Sequence, residues 1–386
     1  MAIRVNPKLI DEIERYGAED VSNCYHCGNC SAVCPHSKDP FVFPRRSMRM
    51  LQMGLESKLL SSLEPWLCYY CGQCSEQCPR EAEPGETMMS LRRWLTSRYD
   101  FTGISRLFYR SWKAEVVAVI VLAILTGLGF AFYGLSQGDI RVYDGPGAFL
   151  PSARVHLFDW GMAAVLTLLL AVNSVRMWWF TVGSRKDIAV PLLSYLKGVV
   201  TLPFHFFTQK RYAQCGEKGP WLLHLALMLS YVVMFTLIMF FLHEVQAGPQ
   251  INWSVHAFGY AASAGLIGAT ILMLRGRVKK TRPGTKHSHE TDWIFLVLLL
   301  YVGTTGVVQH VLHRTGFELA ANVAYLAHMM GVVPMLVLEV PFGKWSHLAY
   351  RPLAMFFSEL VADGLRARAG AAQQAGVPGA QPARVF

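Results

Sequence analysis

The sequence predicts an all-α protein: a small N-terminal helical, ferredoxin-like domain held together by metal, followed by a six-span transmembrane helix bundle. Three observations predict it. Eight of the nine cysteines fall in two copies of one closely spaced run, the apolar residues gather in six long stretches, and no segment shows the two-residue alternation of a half-buried strand.

The cysteine runs are Cys24-x2-Cys27-x2-Cys30-x3-Cys34-Pro35 and Cys68-x2-Cys71-x2-Cys74-x3-Cys78-Pro79. This is the ligand run of a protein that binds two [4Fe–4S] clusters, and it points to electron-transfer chemistry. A cubane needs four thiolates converging from several directions, so three come from one tight turn and the fourth from the other run. Cys24, Cys27, Cys30 and Cys78 are therefore assigned to one cluster, and Cys68, Cys71, Cys74 and Cys34 to the second. Gly28 and Gly72 each follow the second cysteine of a run, where a missing Cβ lets the backbone approach inorganic sulfur. Structural zinc favours separated cysteine pairs rather than three equally spaced cysteines and a Pro-flanked fourth.

Between the runs a helix is expected around 46–60, and after them another over 86–98, with Glu86 at its start and Arg92, Arg93 and Arg98 towards its end. Residues 1–98 then form a helical two-cluster domain, 99–114 a short connector, 115–355 the membrane domain and 356–386 a partly disordered tail. The Ala-, Gly-, Gln- and Pro-rich stretch 367–386 carries the disorder signal. No signal peptide is evident, because residues 1–20 are polar and charged.

The chain is 53% hydrophobic and 16% charged, and about 20 apolar residues suffice to cross a bilayer. Spans are expected near 115–135, 156–181, 221–243, 253–274, 292–313 and 322–343, with Trp112, Trp160, Trp178, Trp179, Trp221, Trp253, Trp293 and Trp345 near their ends. The loop 182–220 holds Arg185, Lys186, Lys197, Lys210, Arg211 and Lys218, and the loop 275–290 holds Arg275, Arg277, Lys279, Lys280, Arg282 and Lys286. The other connections hold only Arg141, Arg154 and Arg314. This asymmetry puts the basic loops, both termini and the cysteine runs on the cytoplasmic face of the inner membrane. The net charge of +10 then reflects contact with anionic lipid, and no recognition motif points to nucleic acid.

Ionisable groups inside a span are costly, so intramembrane histidines ask for a ligand role. His224 opens the third span and His243 closes it, while His328 lies in the sixth and His347 follows 19 residues later. In antiparallel helices His224 meets His347 near the inner face, and His243 lies with His328 towards the outer one. Two such pairs are what b-type haems require. His256 and His310 lie at the depth of His243 and are alternatives to it. A separation of 19 helical residues is about 28 Å, long for hopping between two irons, so tilt or a different ligand is needed. His256, His310, His313 and Glu244 are the polar candidates for an outer quinone site. Cys215 is read as structural, and His26 and His36 as solvent-facing.

The stretch from Ala327-His328-Met329 to Val340-Pro341-Phe342-Gly343-Lys344-Trp345-Ser346-His347 resembles the last span of the dihaem cytochrome subunit of respiratory nitrate reductase. Leu222-Leu223-His224-Leu225 resembles the start of that subunit's second span, and the resemblance covers roughly 155–355, leaving the first span extra. It implies that His224 and His347 share the inner haem and that His328 binds the outer one. Where an ungapped alignment puts the family's other outer ligand, this chain has Met234. Residues 20–98 resemble the small iron–sulfur subunit of heterodisulfide reductase. The fusion is similar to the membrane subunit of the quinone-interacting membrane-bound oxidoreductase complex. That resemblance implies one or two b haems, menaquinone or ubiquinone, and soluble flavin/iron–sulfur partner subunits.

Two other classes weigh against this reading. A tethered iron–sulfur redox sensor leaves the intramembrane histidines without a role, and a transporter expects broken spans with central carboxylates, whereas these spans carry Pro334 but almost no central acidic residue apart from Glu339 near the inner end of the sixth. The same fusion also suits a hydrogenase or formate module.

Overall fold

The computed structural model describes residues 4–136, 152–246 and 252–374. Among these residues the fold is helical, without a β-strand. Six helices among the described residues are long and apolar enough to cross a membrane: Trp112–Tyr133, His156–Gly183, Lys218–Leu242, Trp253–Lys279, Glu290–Arg314 and Glu318–Glu339. Each overlaps its expected stretch, and the chain is a multi-pass membrane protein with an N-terminal iron–sulfur domain.

The spans pack mostly in chain order: the second against the third, the third against the fourth, the fourth against the fifth and the fifth against the sixth. The first span is the exception. It packs against the sixth rather than its sequence neighbour, and its apolar surface is left outside the protein, as suits a lipid-facing helix. The sixth helix changes to a π turn over Met335–Glu339, directly after Pro334, whose ring cannot sit in an undisturbed α-helix. A break and a short 3-10 turn, Lys344–Ser346, follow before the chain becomes helical again at His347. The straight-helix premise behind the 28 Å between His328 and His347 is not met, because a π turn and a 3-10 turn interrupt the intervening residues.

In the N-terminal part, short helices Leu9–Glu14, Arg45–Gln52, Glu56–Leu60 and Glu64–Leu67 surround a longer one, Pro84–Tyr99. The last begins with a proline at its first position and Glu86 in its first turn and ends with Arg98 in its last, which suits the helix dipole. The core of this region, with Leu9, Ile13, Met48, Leu51, Trp66 and Trp94, is continuous with Met177, Val182, Tyr350, Phe357 and Leu360 at the base of the bundle. Shared apolar burial, rather than a tether, thus fixes the cysteine runs against the membrane part.

Helix extends into three further segments. The connector is itself partly helical, over Ile104–Arg110. The basic loop 182–220 contains two short helices, Leu192–Val199 and Thr201–Thr208, with Leu192, Leu196 and Val200 exposed. The expected disordered tail begins as helix, because His347–Gln374 is continuous. Tyr350, Ala354, Phe357, Leu360, Val361 and Gly364 recur at helical spacing and bury one face of it. Residues 375–386 lie outside the described residues.

A buried ionic cluster joins the two parts. Arg93 bonds Glu86 at 2.9 Å and faces Asp292 at 3.8 Å, and Asp292 also meets Arg277 at 3.6 Å and Lys344 at 2.5 Å. Removing one member of a buried charge network leaves the others uncompensated and costs about 3–5 kcal/mol. Arg93→Ala is expected to lower the melting temperature of the detergent-solubilised protein sharply, whereas substitution of the exposed pair member Arg366 is expected to leave it unchanged. Equal melting of the two variants would show that the cluster does not hold the interface.

Candidate metal centres

Each cysteine run makes a tight turn that requires glycine. Gly28 and Gly72 have φ of +91° and +85°, a left-handed conformation that costs other residues about 1–2 kcal/mol. At Gly72 a Cβ would also lie 2.2 Å from the Cβ of Pro283, so the second run lies hard against the connection between the fourth and fifth spans.

The turns gather the thiols round two cavities. Cys24, Cys27, Cys30 and Cys78 line the first, and Cys34, Cys68, Cys71 and Cys74 the second. The first three cysteines of each run thus meet the last cysteine of the other. Among the described residues no three His, Cys, Asp or Glu groups converge tightly enough for a single ion. Thiols ringing a cavity suit a multinuclear cluster, and so do the backbone amides that point at sulfur, Tyr70 N–H to Cys68 Sγ at 3.3 Å and Ala82 N–H to Cys78 Sγ at 3.4 Å. The residues present fit [4Fe–4S] clusters.

Burial pushes the Cys30 thiol up to about 11, with Cys24, Cys27 and Cys78 adding to the effect, and burial likewise raises Cys34 to about 11. Both sulfurs hold protons at neutral pH until iron displaces them.

The cavities face differently. The first opens outward, with Cys27 exposed and Tyr25 69% exposed beneath the Arg80 guanidinium. The second faces the bundle, and Cys215 contributes to its lining. His36 is not solvent-facing as expected; it is 4% exposed, with Nε2 3.1 Å from Cys215 Sγ. Burial, and then Arg211 and Arg351, lower His36 to about 4 and keep it neutral. His26 is half-buried at the first cavity.

Residues 20–82 match the family profile of the 4Fe-4S dicluster domain. The chain carries an N-terminal dicluster domain. Over 71 residues it is 34% identical to the iron–sulfur subunit of the CoB--CoM heterodisulfide reductase of Methanopyrus kandleri, a match covering 16% of this chain and 37% of that protein. The chain thus spans little more than a third of that relative's length. No solved structure matches. The iron–sulfur domain and helical bundle together fit an oxidoreductase-related electron-transfer role.

From the dicluster domain a series of rings leads into the bundle. Tyr69, at the second cavity, stacks on Tyr212 with centroids 5.2 Å apart; Tyr212 lies 6.0 Å from His224, and His224 lies 6.1 Å from His347. Two imidazoles on opposite sides of one metal need about 6 Å, from two bonds of about 2 Å and half a ring on each side. Their outer nitrogens are already engaged. His224 Nδ1 donates to Gln209 Oε1 at 2.8 Å and His347 Nδ1 to the Lys344 carbonyl at 2.5 Å, which leaves both Nε2 lone pairs for a metal. Burial, followed by the neighbouring His224, lowers His347 to about 3, so its ring stays neutral.

His328 is fixed in the same way. Its Nδ1 lies 3.1 Å from Thr305 Oγ, whose own proton goes to the Tyr301 carbonyl, so the ring donates to the hydroxyl. Among the described residues no second imidazole meets this ring, and the His243 side chain lies outside them. His256 and His310 pair with each other, centroids 5.4 Å apart; Arg314 bonds His256 and Tyr260 bonds His310, both at 3.0 Å. His313 faces Glu318 at 3.5 Å, and Met234 Sδ lies 3.9 Å from Ser263 Oγ.

Sequence reasoning did not place Cys215 at the second cavity, nor pair Glu115 with Glu339, both fully buried where the first span packs on the sixth. The first was detectable only as an odd cysteine, and the second not from periodicity at all.

Proposed function

We propose that this chain is a membrane electron conduit between a quinone, menaquinone or ubiquinone, and a soluble flavin/iron–sulfur oxidoreductase partner of the heterodisulfide reductase type. Cys24, Cys27, Cys30 and Cys78 hold one [4Fe–4S] cluster, Cys68, Cys71, Cys74 and Cys34 the other, and His224 and His347 an inner b haem. Bound clusters and haem supply one-electron chemistry at fixed sites. His328 is reserved for an outer haem whose second ligand is His243, His256, His310 or Met234. The dicluster domain faces the cytoplasm.

The observation that carries the reading is the facing of His224 and His347, both with Nε2 free, at the end of the ring series from the second cavity. It favours a conduit over a tether, since a tether needs no buried imidazole pair. The outward-facing Cys27 and Tyr25 suit the first cavity to the soluble partner, while Tyr69 and Tyr212 suit the second to the membrane side. A dithionite-reduced minus oxidised optical spectrum of the purified chain tests the reading. b-type bands are the expected result, and a spectrum with iron–sulfur bleaching alone would overturn it.

A further inference from the structure

The second cavity holds one thiol more than a cubane requires. Cys34, Cys68, Cys71 and Cys74 come from the dicluster domain, and Cys215 reaches the same cavity from the connection between the second and third spans. It is 6% exposed, follows the 3-10 turn Tyr212–Gln214, and its amide bonds the Tyr212 carbonyl at 3.0 Å. Its thiol lies 3.1 Å from His36 Nε2 and lines the same cavity as Cys71.

An imidazole nitrogen at that distance pairs with the Cys215 thiol while the sulfur still lines the cavity beside the four thiols of the dicluster domain. A buried structural cysteine in an apolar core would have neither the imidazole nor the four neighbouring thiols.

We propose that Cys215 is an alternative ligand of the second cluster, able to take the place of Cys71 on one iron. In the exchange one iron–sulfur bond to Cys71 breaks and one to Cys215 forms. The Cys215 proton passes to the released Cys71 sulfur, and no electron is transferred. Cys71 is suited to leave because it is only half-buried, whereas Cys68 and Cys74 are buried. Ligation of this cluster then reports whether the membrane-side connection is seated, because that connection carries Cys215.

The inference rests on the two-cluster reading, and both are tested by non-haem iron and the low-temperature EPR spectrum of the reduced, full-length protein. Wild type is expected to hold about eight irons. Cys71→Ala is expected to keep about eight with altered g-values, and Cys71→Ala/Cys215→Ala to keep about four. Cys215→Ala alone keeps about eight, with Cys71 in place. About eight irons in wild type and about four in Cys71→Ala would overturn the exchange and leave the two clusters standing, whereas fewer than about eight in wild type would overturn both. Failure of Cys71→Ala to accumulate where Cys215→Ala does would also overturn the exchange, since a cluster kept by Cys215 would preserve the fold.

Discussion

Cys30→Ser is expected to halve the non-haem iron of the purified chain, from about eight atoms to about four, and to loosen the dicluster domain along with it. Cys30 is 9% exposed, and the first cavity offers only Cys24, Cys27 and Cys78 as other thiols. No cysteine stands by to replace it, in contrast to the second cavity with Cys215. Ligation and folding are coupled in small metal-held domains, so the loss should extend past the cavity to the short helices around it. The membrane spans, stabilised by their own packing, should persist, and any haem absorbance with them. Iron analysis alongside the optical spectrum separates the two. Retention of about eight irons in Cys30→Ser would contradict the assignment of that thiol.

The two rings of thiols were legible in the sequence because a run with cysteine at every third position dictates a turn, and the left-handed Gly28 and Gly72 permit it. The six spans were legible for a simpler reason. Each is an apolar stretch long enough to cross a bilayer, and hydropathy registers that without tertiary information. The meeting of His224 and His347 followed from counting helices and alternating their direction, even though the break after Glu339 defeats the distance computed along a straight helix.

What was not legible depends on docking. Cys215 and His36 are 179 residues apart, and only the shared core beneath the dicluster domain brings them together. Glu115 and Glu339 face each other because the first span packs on the sixth, a choice no local pattern specifies. The helix His347–Gln374 was hidden for another reason. Its Ala, Gly and Gln content reads as disorder, while its periodic apolar face gains meaning only once a partner surface exists to cover it.

On the proposed reading, in which His224 and His347 hold a haem and a quinol supplies electrons, His347→Ala is expected to abolish haem binding at this pair, leave about eight non-haem irons in place, and reduce quinol-driven reduction of the dicluster domain to background. Three features give the substitution this reach. The ring is held by the Lys344 carbonyl with its Nε2 free, it faces His224 at the spacing one metal needs, and the ring series from the second cavity ends on this pair. His224 and His347 would together hold the group, and among the described residues no other imidazole contacts His224 to take the place of His347. A graded control separates ligation from packing. Gln209→Ala removes only the acceptor that orients His224, and loss of such a supporting bond weakens metal affinity by roughly 10–100-fold without abolishing the site. Gln209→Ala should therefore bind haem less tightly yet recover it when haem is supplied in excess, and His347→Ala should not recover. Full haem content in His347→Ala would refute the pairing, and recovery by excess haem in both variants would reduce His347 to a packing role.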